Sequence, residues 1–136
     1  MTLDLAPALI RYVGIPYRDK GTNPATGLDC WQLVRLFYQE QFGVELPGYL
    51  ALYDSSLDRS DCEQAILRAL PQWAPVDPPL FGDVLVFRIV TGPWHTAVQL
   101  DDGLMLHTDQ GHGSVIEPAK GIRWRDRHYG AYRWKS

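Results

Sequence analysis

Gly27-Leu28-Asp29-Cys30-Trp31-Gln32-Leu33-Val34 is the stretch on which the fold turns. A loop that carries a glycine runs into Asp29, a residue type favoured at a helix N-cap because its side chain accepts from first-turn N–H groups. Leu33, Val34, Phe37 and Gln41 follow at helical spacing, and only the last is polar. The pattern predicts an amphipathic helix from Cys30 to about Phe42, closed by Gly43. Cys30 falls in the first turn, where unpaired N–H groups and the helix dipole favour an anion. A thiol there ionises more readily, and the thiolate is the reactive form. The position suggests a nucleophile. The plainer alternative is a buried cysteine acting as a small hydrophobe.

Upstream of this helix, Ala6 to Val13 reads as a short helix with Ala6, Leu9, Ile10 and Val13 on one face. Gly14-Ile15-Pro16-Tyr17 stops it, and the polar run from Arg18 to Leu28 reads as loop. Downstream, Ser60-Asp61-Cys62-Glu63 has the capping-box pattern ahead of a helix carrying Ala65, Ile66, Ala69 and Leu70. The prolines between Pro75 and Pro79 make a connector, and after Phe81-Gly82-Asp83 the period changes to that of strands. Val84–Phe87, Thr96–Leu100, Leu104–Thr108, Ser114–Glu117 and Tyr129–Trp134 give five strands, with Asp101-Asp102-Gly103 as a tight turn. Helices first and an antiparallel run of strands after them predict an α+β domain spanning residues 1–136.

The chain has 136 residues, of which 46% are hydrophobic, enough for one domain with a real core. A net charge of −3 gives no electrostatic reason to expect nucleic acid. No apolar run is long enough to span a membrane. The N-terminal segment carries Asp4 and no basic region, so it is not read as a secretory signal. Two cysteines, Cys30 and Cys62, make no disulfide scaffold. Cys62 stands between Asp61 and Glu63, which oppose its ionisation, and is expected to be structural. The aromatics near Trp94, Trp124 and Trp134 are read as exposed, fit to serve a protein interface as well as a core.

A cysteine nucleophile needs a base, and the base needs an orienting partner. A hairpin centred on Asp102-Gly103 pairs a residue near 96 with one near 108, which makes His95 and His107 neighbours. If the sheet packs on the Cys30 helix, one of them meets the sulfur. His112, in a glycine turn, and His128 read as solvated. A zinc site from His95, His107, His112 and Asp109 matches no ligand spacing, so no metal or other cofactor is expected.

These blocks come in a known order. Gly14-Ile15-Pro16-Tyr17, Asp29-Cys30-Trp31-Gln32-Leu33-Val34, Gly82-Asp83-Val84-Leu85-Val86-Phe87, His95-Thr96-Ala97-Val98 and His107 resemble the successive motifs of the NlpC family of cell-wall peptidases. The tryptophan after the cysteine resembles the branch associated with phage tails. The resemblance implies a papain-like α+β fold, with N-terminal helices packed on an antiparallel sheet of about five strands. It implies a cysteine peptidase that hydrolyses peptide bonds in peptidoglycan stems, typically between D-glutamate and diaminopimelate. It makes Cys30 the nucleophile, His95 the base, His107 the orienting residue and Tyr17 a contributor to an oxyanion site. It further implies peptidoglycan peptides and other tail-tip or hub proteins as partners. Assembly would take place in a host cytoplasm, within a virion tail or phage-like particle, with action in the cell wall or periplasm. A structural tail-tip protein with little activity, and a thiol acyltransferase or amidase, are the rival readings. Two positions depart from the pattern. Gln32 replaces a small residue, and Arg18-Asp19-Lys20-Gly21 replaces a Trp-Gly-Gly.

Overall fold

Helix α2 spans Cys30–Phe42 and starts as its cap residue dictates. Asp29 is fully buried. One carboxylate oxygen accepts from the Gln32 N–H at 2.9 Å and the other from the Lys20 N–H at 3.1 Å. The same residue therefore begins the helix and anchors the loop before it. At the far end Gly43 adopts φ 65°, and its N–H returns to the Gln39 and Tyr38 carbonyls. A left-handed backbone of this kind is cheap for glycine and costly for other residues.

A computed structural model of the chain describes residues 7–49, 59–88 and 94–135, with Arg59, Asp61 and Asp109 as backbone only. Ala6, Gly92, Pro93 and the Asp109 side chain lie outside the described residues. Beside α2 there are a one-turn α1 at Pro7–Ile10 and α3 at Arg59–Ala69. A two-stranded hairpin, β1 at Thr22–Asn23 and β2 at Gly27–Leu28, leads into α2. The main sheet holds β3 (Trp73–Pro75), β4 (Val84–Phe87), β5 (His95–Gln99), β6 (Leu104–Asp109), β7 (Gly113–Pro118) and β8 (His128–Trp134). Its order is β3-β8-β4-β5-β6-β7, and all neighbours are antiparallel.

Strand alternation divides the core in two. Val84, Val98, Leu104 and Leu106 face α2 and pack on Leu33, Val34, Phe37 and Tyr38. Leu85, Phe87, Ala97, Met105 and Ala131 face the other way and are closed over by Trp124. The β5–β6 register, Val98 opposite Leu106 and Gln99 opposite Met105, is the one expected of a hairpin at Asp102-Gly103. No helix among the described residues is long and apolar enough to cross a membrane.

The sheet has six strands where five were expected. The extra one, β3, runs into the prolines read as a connector. It is an edge strand, where a missing N–H breaks no ladder. The first helix is also shorter than expected. Ile10 and Val13 are 57% and 45% exposed, while Tyr12 buries instead, against Phe37. Helix α3 already includes Arg59, so Ser60 lies inside its first turn. The expected exposure of the tryptophans does not hold. Trp94 and Trp124 are buried, and Trp134 packs edge-on against Trp73. Gln32 is accommodated without crowding. It is buried, and it donates to the Gly48 carbonyl and accepts from Arg35, which in turn donates to the Leu46 carbonyl. The larger residue thus fastens the segment that leaves α2.

Candidate active site

Cys30 opens α2 and is partly exposed, at the mouth of a chamber between α2, α3 and the sheet. The N-terminus of a helix lowers a thiol's pKa, yet the Cys30 thiol is pushed up to about 11. Its apolar surroundings are the main cause, and the adjacent Asp29 carboxylate adds to it. Thr96, through its backbone and hydroxyl, and the Trp31 backbone act in the opposite direction. The resting group is a neutral thiol with Thr96 beside it.

The histidines meet as the hairpin register requires. His95 Nε2 lies 2.8 Å from His107 Nδ1, and His107 Nε2 lies 2.6 Å from a Glu117 carboxylate oxygen. The other Glu117 oxygen accepts from Trp124 Nε1 at 3.3 Å. This string fixes the tautomers when both rings are neutral. Glu117 can only accept, so His107 carries its proton on Nε2 and offers the Nδ1 lone pair. His95 must then donate from Nε2, which leaves the lone pair of His95 on Nδ1. Burial holds His95 well below the usual histidine pKa, and the positive charges that Arg123 carries and a protonated His107 would carry act in the same direction. It is therefore neutral at pH 7 and able to accept a proton. Trp124 covers the pair, stacked on His95 and edge-on to His107, each with centroids 5.0 Å apart.

The structure brings His95 and His107 together but forms no hydrogen bond between His95 and the Cys30 sulfur among the described residues. The cause is the alternation of β5. Thr96 points to the Cys30 chamber, and His95 points to the Trp124 side. His95 and Phe87 are nevertheless the last pair of the β4–β5 ladder, so the imidazole stands at the end of the sheet. Tyr17 is placed by a backbone bridge to Leu28, just ahead of Cys30. Its side chain lines a separate cleft with Arg18, Gln110 and His112, not the chamber that holds Cys30. His128 is exposed, and Cys62 is buried with Val86 and Trp94.

Glu117 and Trp124 are the residues that reading the sequence missed. Glu117 falls in an expected strand, but its tie to His107 crosses from β7 to β6, and local pattern gives no sign of it. Trp124 does leave a mark, as a lone aromatic in the charged run Arg123-Trp124-Arg125-Asp126-Arg127.

Comparison with known proteins gives the same fold. The chain is 24% identical over 120 residues to murein DD-endopeptidase MepS/murein LD-carboxypeptidase of Escherichia coli K12, covering 88% of this chain and 56% of that protein. It is 29% identical over 115 residues to tail tip assembly protein K of Escherichia phage N15, covering 79% of this chain and 45% of that protein. It thus spans about half the length of these relatives. The crystal structure of the NlpC/p60 domain of the peptidoglycan hydrolase SagA superposes with a TM-score of 0.59 at 22% identity, covering 90% of this chain and 89% of that one. This likeness carries the α+β papain-like architecture. The NlpC/P60 family model matches residues 14–133, nearly the whole chain, and the protein belongs to that family.

Proposed function

We propose that this chain is a cysteine peptidase that hydrolyses peptide bonds in peptidoglycan stem peptides and is carried in a phage or phage-like tail. The observation that carries the reading is the His95–His107–Glu117 string, which leaves a lone pair on His95 Nδ1 in the strand that also presents Thr96 to Cys30. A neutral thiol and a neutral imidazole are the correct starting pair for general-base catalysis. In the reaction His95 Nδ1 takes the thiol proton as Sγ adds to the scissile carbonyl. The imidazolium then protonates the leaving amine, and a thioester remains on Cys30. Water, deprotonated by His95, releases the acyl group and restores the thiol. The step requires Sγ and His95 Nδ1 to meet at the end of the sheet while the Nε2 contact with His107 is kept. Catalytic hydrogen bonds commonly tighten in this way on going from the free enzyme to the complex.

Membership of the family and the two relatives, one a murein endopeptidase and one a tail tip assembly protein, support the substrate and the setting. Incubation of purified peptidoglycan with the protein, followed by mass analysis, tests it. Stem-peptide fragments are expected from the wild type and none from Cys30→Ser or His95→Ala. If the folded wild type releases no fragments, the protein is instead a structural tail component that keeps the fold.

A further inference from the structure

Trp124 stands in the charged run from Arg123 to Arg127, yet it is only 1% exposed, whereas Ile122 just before it is 81% exposed. The turn that carries it is closed by backbone bonds. The Trp124 N–H donates to the Gly121 carbonyl and the Arg127 N–H to the Trp124 carbonyl, each at 2.9 Å. Any large apolar side chain could plug the second core. The contacts of the indole ask for more than a plug. Its plane lies at 18° to that of His95, and it meets His107 edge-on at 76°. Its N–H donates to Glu117 Oε1, which leaves Oε2 to the His107 bond. One side chain thus touches every member of the string. His95 needs such a neighbour, because rotation of an imidazole about its bond to Cβ has no sharp minimum. A half-turn of the ring would put carbons where the nitrogens stand and break the 2.8 Å contact with His107. The flat indole against one face resists that rotation, and Phe87 stands nearby, tilted at 45°. When His95 takes the thiol proton, the charged ring lies on the indole face, an arrangement that favours a cation. The neutral resting ring gains less, so the contact acts mostly in the transition state.

We propose that Trp124 is a positioning residue for this chemistry. Its ring plane keeps His95 Nε2 on His107 and leaves Nδ1 to the Cys30 thiol, and its N–H holds the Glu117 carboxylate at the end of the string. The inference rests on His95 as the general base of the proposed peptidase.

Two measurements test it, one that needs turnover and one that does not. Trp124→Phe keeps a ring face and loses the N–H. Trp124→Leu loses both, and Trp124→Met takes its place if Trp124→Leu does not fold. With soluble stem-peptide fragments as substrate, Trp124→Phe should lower kcat about fivefold and Trp124→Leu about fiftyfold, the loss of one hydrogen bond and then of a stacked cation. KM should stay nearly unchanged. In a Glu117→Ala background Trp124→Phe should cause no further loss, because the indole N–H has no carboxylate left to hold. Nitrogen NMR of histidine-labelled protein, with His95→Gln for assignment, reads the ring without turnover. In the wild type the His95 proton should sit on Nε2, and the ring should stay neutral well below the ordinary value of 6.5. In Trp124→Leu the proton should be shared between the two nitrogens. The ring should also titrate nearer 6.5, since water then relieves the burial that is the main cause of the low value. The other charged or titratable groups around the ring, His107, Glu117 beyond it and Arg123, are all kept in that variant. An unmoved proton and titration in Trp124→Leu overturn the proposal. So does a loss confined to KM, which makes Trp124 a substrate contact. A further loss from Trp124→Phe in the Glu117→Ala background overturns the role of the N–H. A wild type that cuts no stem peptide strikes the peptidase reading, and the NMR result then decides by itself whether Trp124 places His95.

Discussion

Glu117 sets the direction of every proton in the histidine pair. With both rings neutral, Glu117 accepts from His107 Nε2, and His107 Nδ1 then accepts from His95 Nε2. Glu117→Gln can present its carbonyl oxygen to His107, but it can also turn its amide and reverse the string. It is expected to lower kcat about tenfold with KM nearly unchanged, the pattern of a group felt mainly in the transition state. Glu117→Ala should fall further. A KM effect alone would make Glu117 a substrate contact and not a positioning residue. The same burial has a consequence for acid stability. His95 stays neutral in the folded protein, below the ordinary value of 6.5 that it has when unfolded. Below that pH the unfolded chain binds the extra proton, so stability falls as pH falls. The slope approaches about 1.4 kcal/mol per pH unit for one such group. Melting curves between pH 7 and 5 should show the loss. His95→Gln should flatten it, and an unchanged slope would place the titration elsewhere.

At the scale of elements, α2 was the most legible piece, because its cap, its apolar face and its glycine stop are all local features. Strands β4 to β6 were legible from their period, and the hairpin register gave the His95–His107 contact. That register also carries what the sequence reading did not take from it. Alternation unites the two histidines on one face and sends Thr96 and Val98 to the other, toward α2. Strand β3 was obscured by its prolines, and the role of Trp124 exists only once the sheet is built. The Asp29 cap gives a prediction at this scale. Its two oxygens serve Gln32 and Lys20, whereas Asn offers one acceptor. Asp29→Asn should keep the helix start and cost about 1 kcal/mol for the lost loop bond. Asp29→Ala should cost more, since the cap goes too. The carboxylate charge also helps hold the thiol up near 11. Alkylation of Cys30 against pH should therefore show a lower midpoint in Asp29→Asn than in the wild type. An unmoved midpoint would mean that burial alone sets it.

The whole molecule is joined at Leu80–Asp83, where helix, sheet and C-terminal strand meet. Tyr38 of α2 donates its hydroxyl to the Gly82 carbonyl. The Gly82 N–H donates to the Gln99 carbonyl at 2.8 Å, and the Gln99 N–H donates to the Asp83 carbonyl at 2.8 Å, which ties the junction to β5. Asp83 accepts from the Leu80 N–H and takes two bonds from Arg133 of β8, at 2.9 and 2.8 Å. Gly82 makes this convergence possible. Its φ is 91°, and a Cβ there would stand 2.6 Å from the Phe42 ring. The two obstacles differ in kind. The Phe42 ring is partly exposed and can move aside. The left-handed backbone cannot be relieved without breaking the bonds just described. Gly82→Ala is therefore expected to destabilise the fold by about 1–2 kcal/mol, mostly from backbone strain. Adding Phe42→Ala should recover little of the loss. Chemical denaturation of the single and double variants decides between them. Near-complete recovery in the double variant would show that the ring, and not the backbone, requires glycine at the junction.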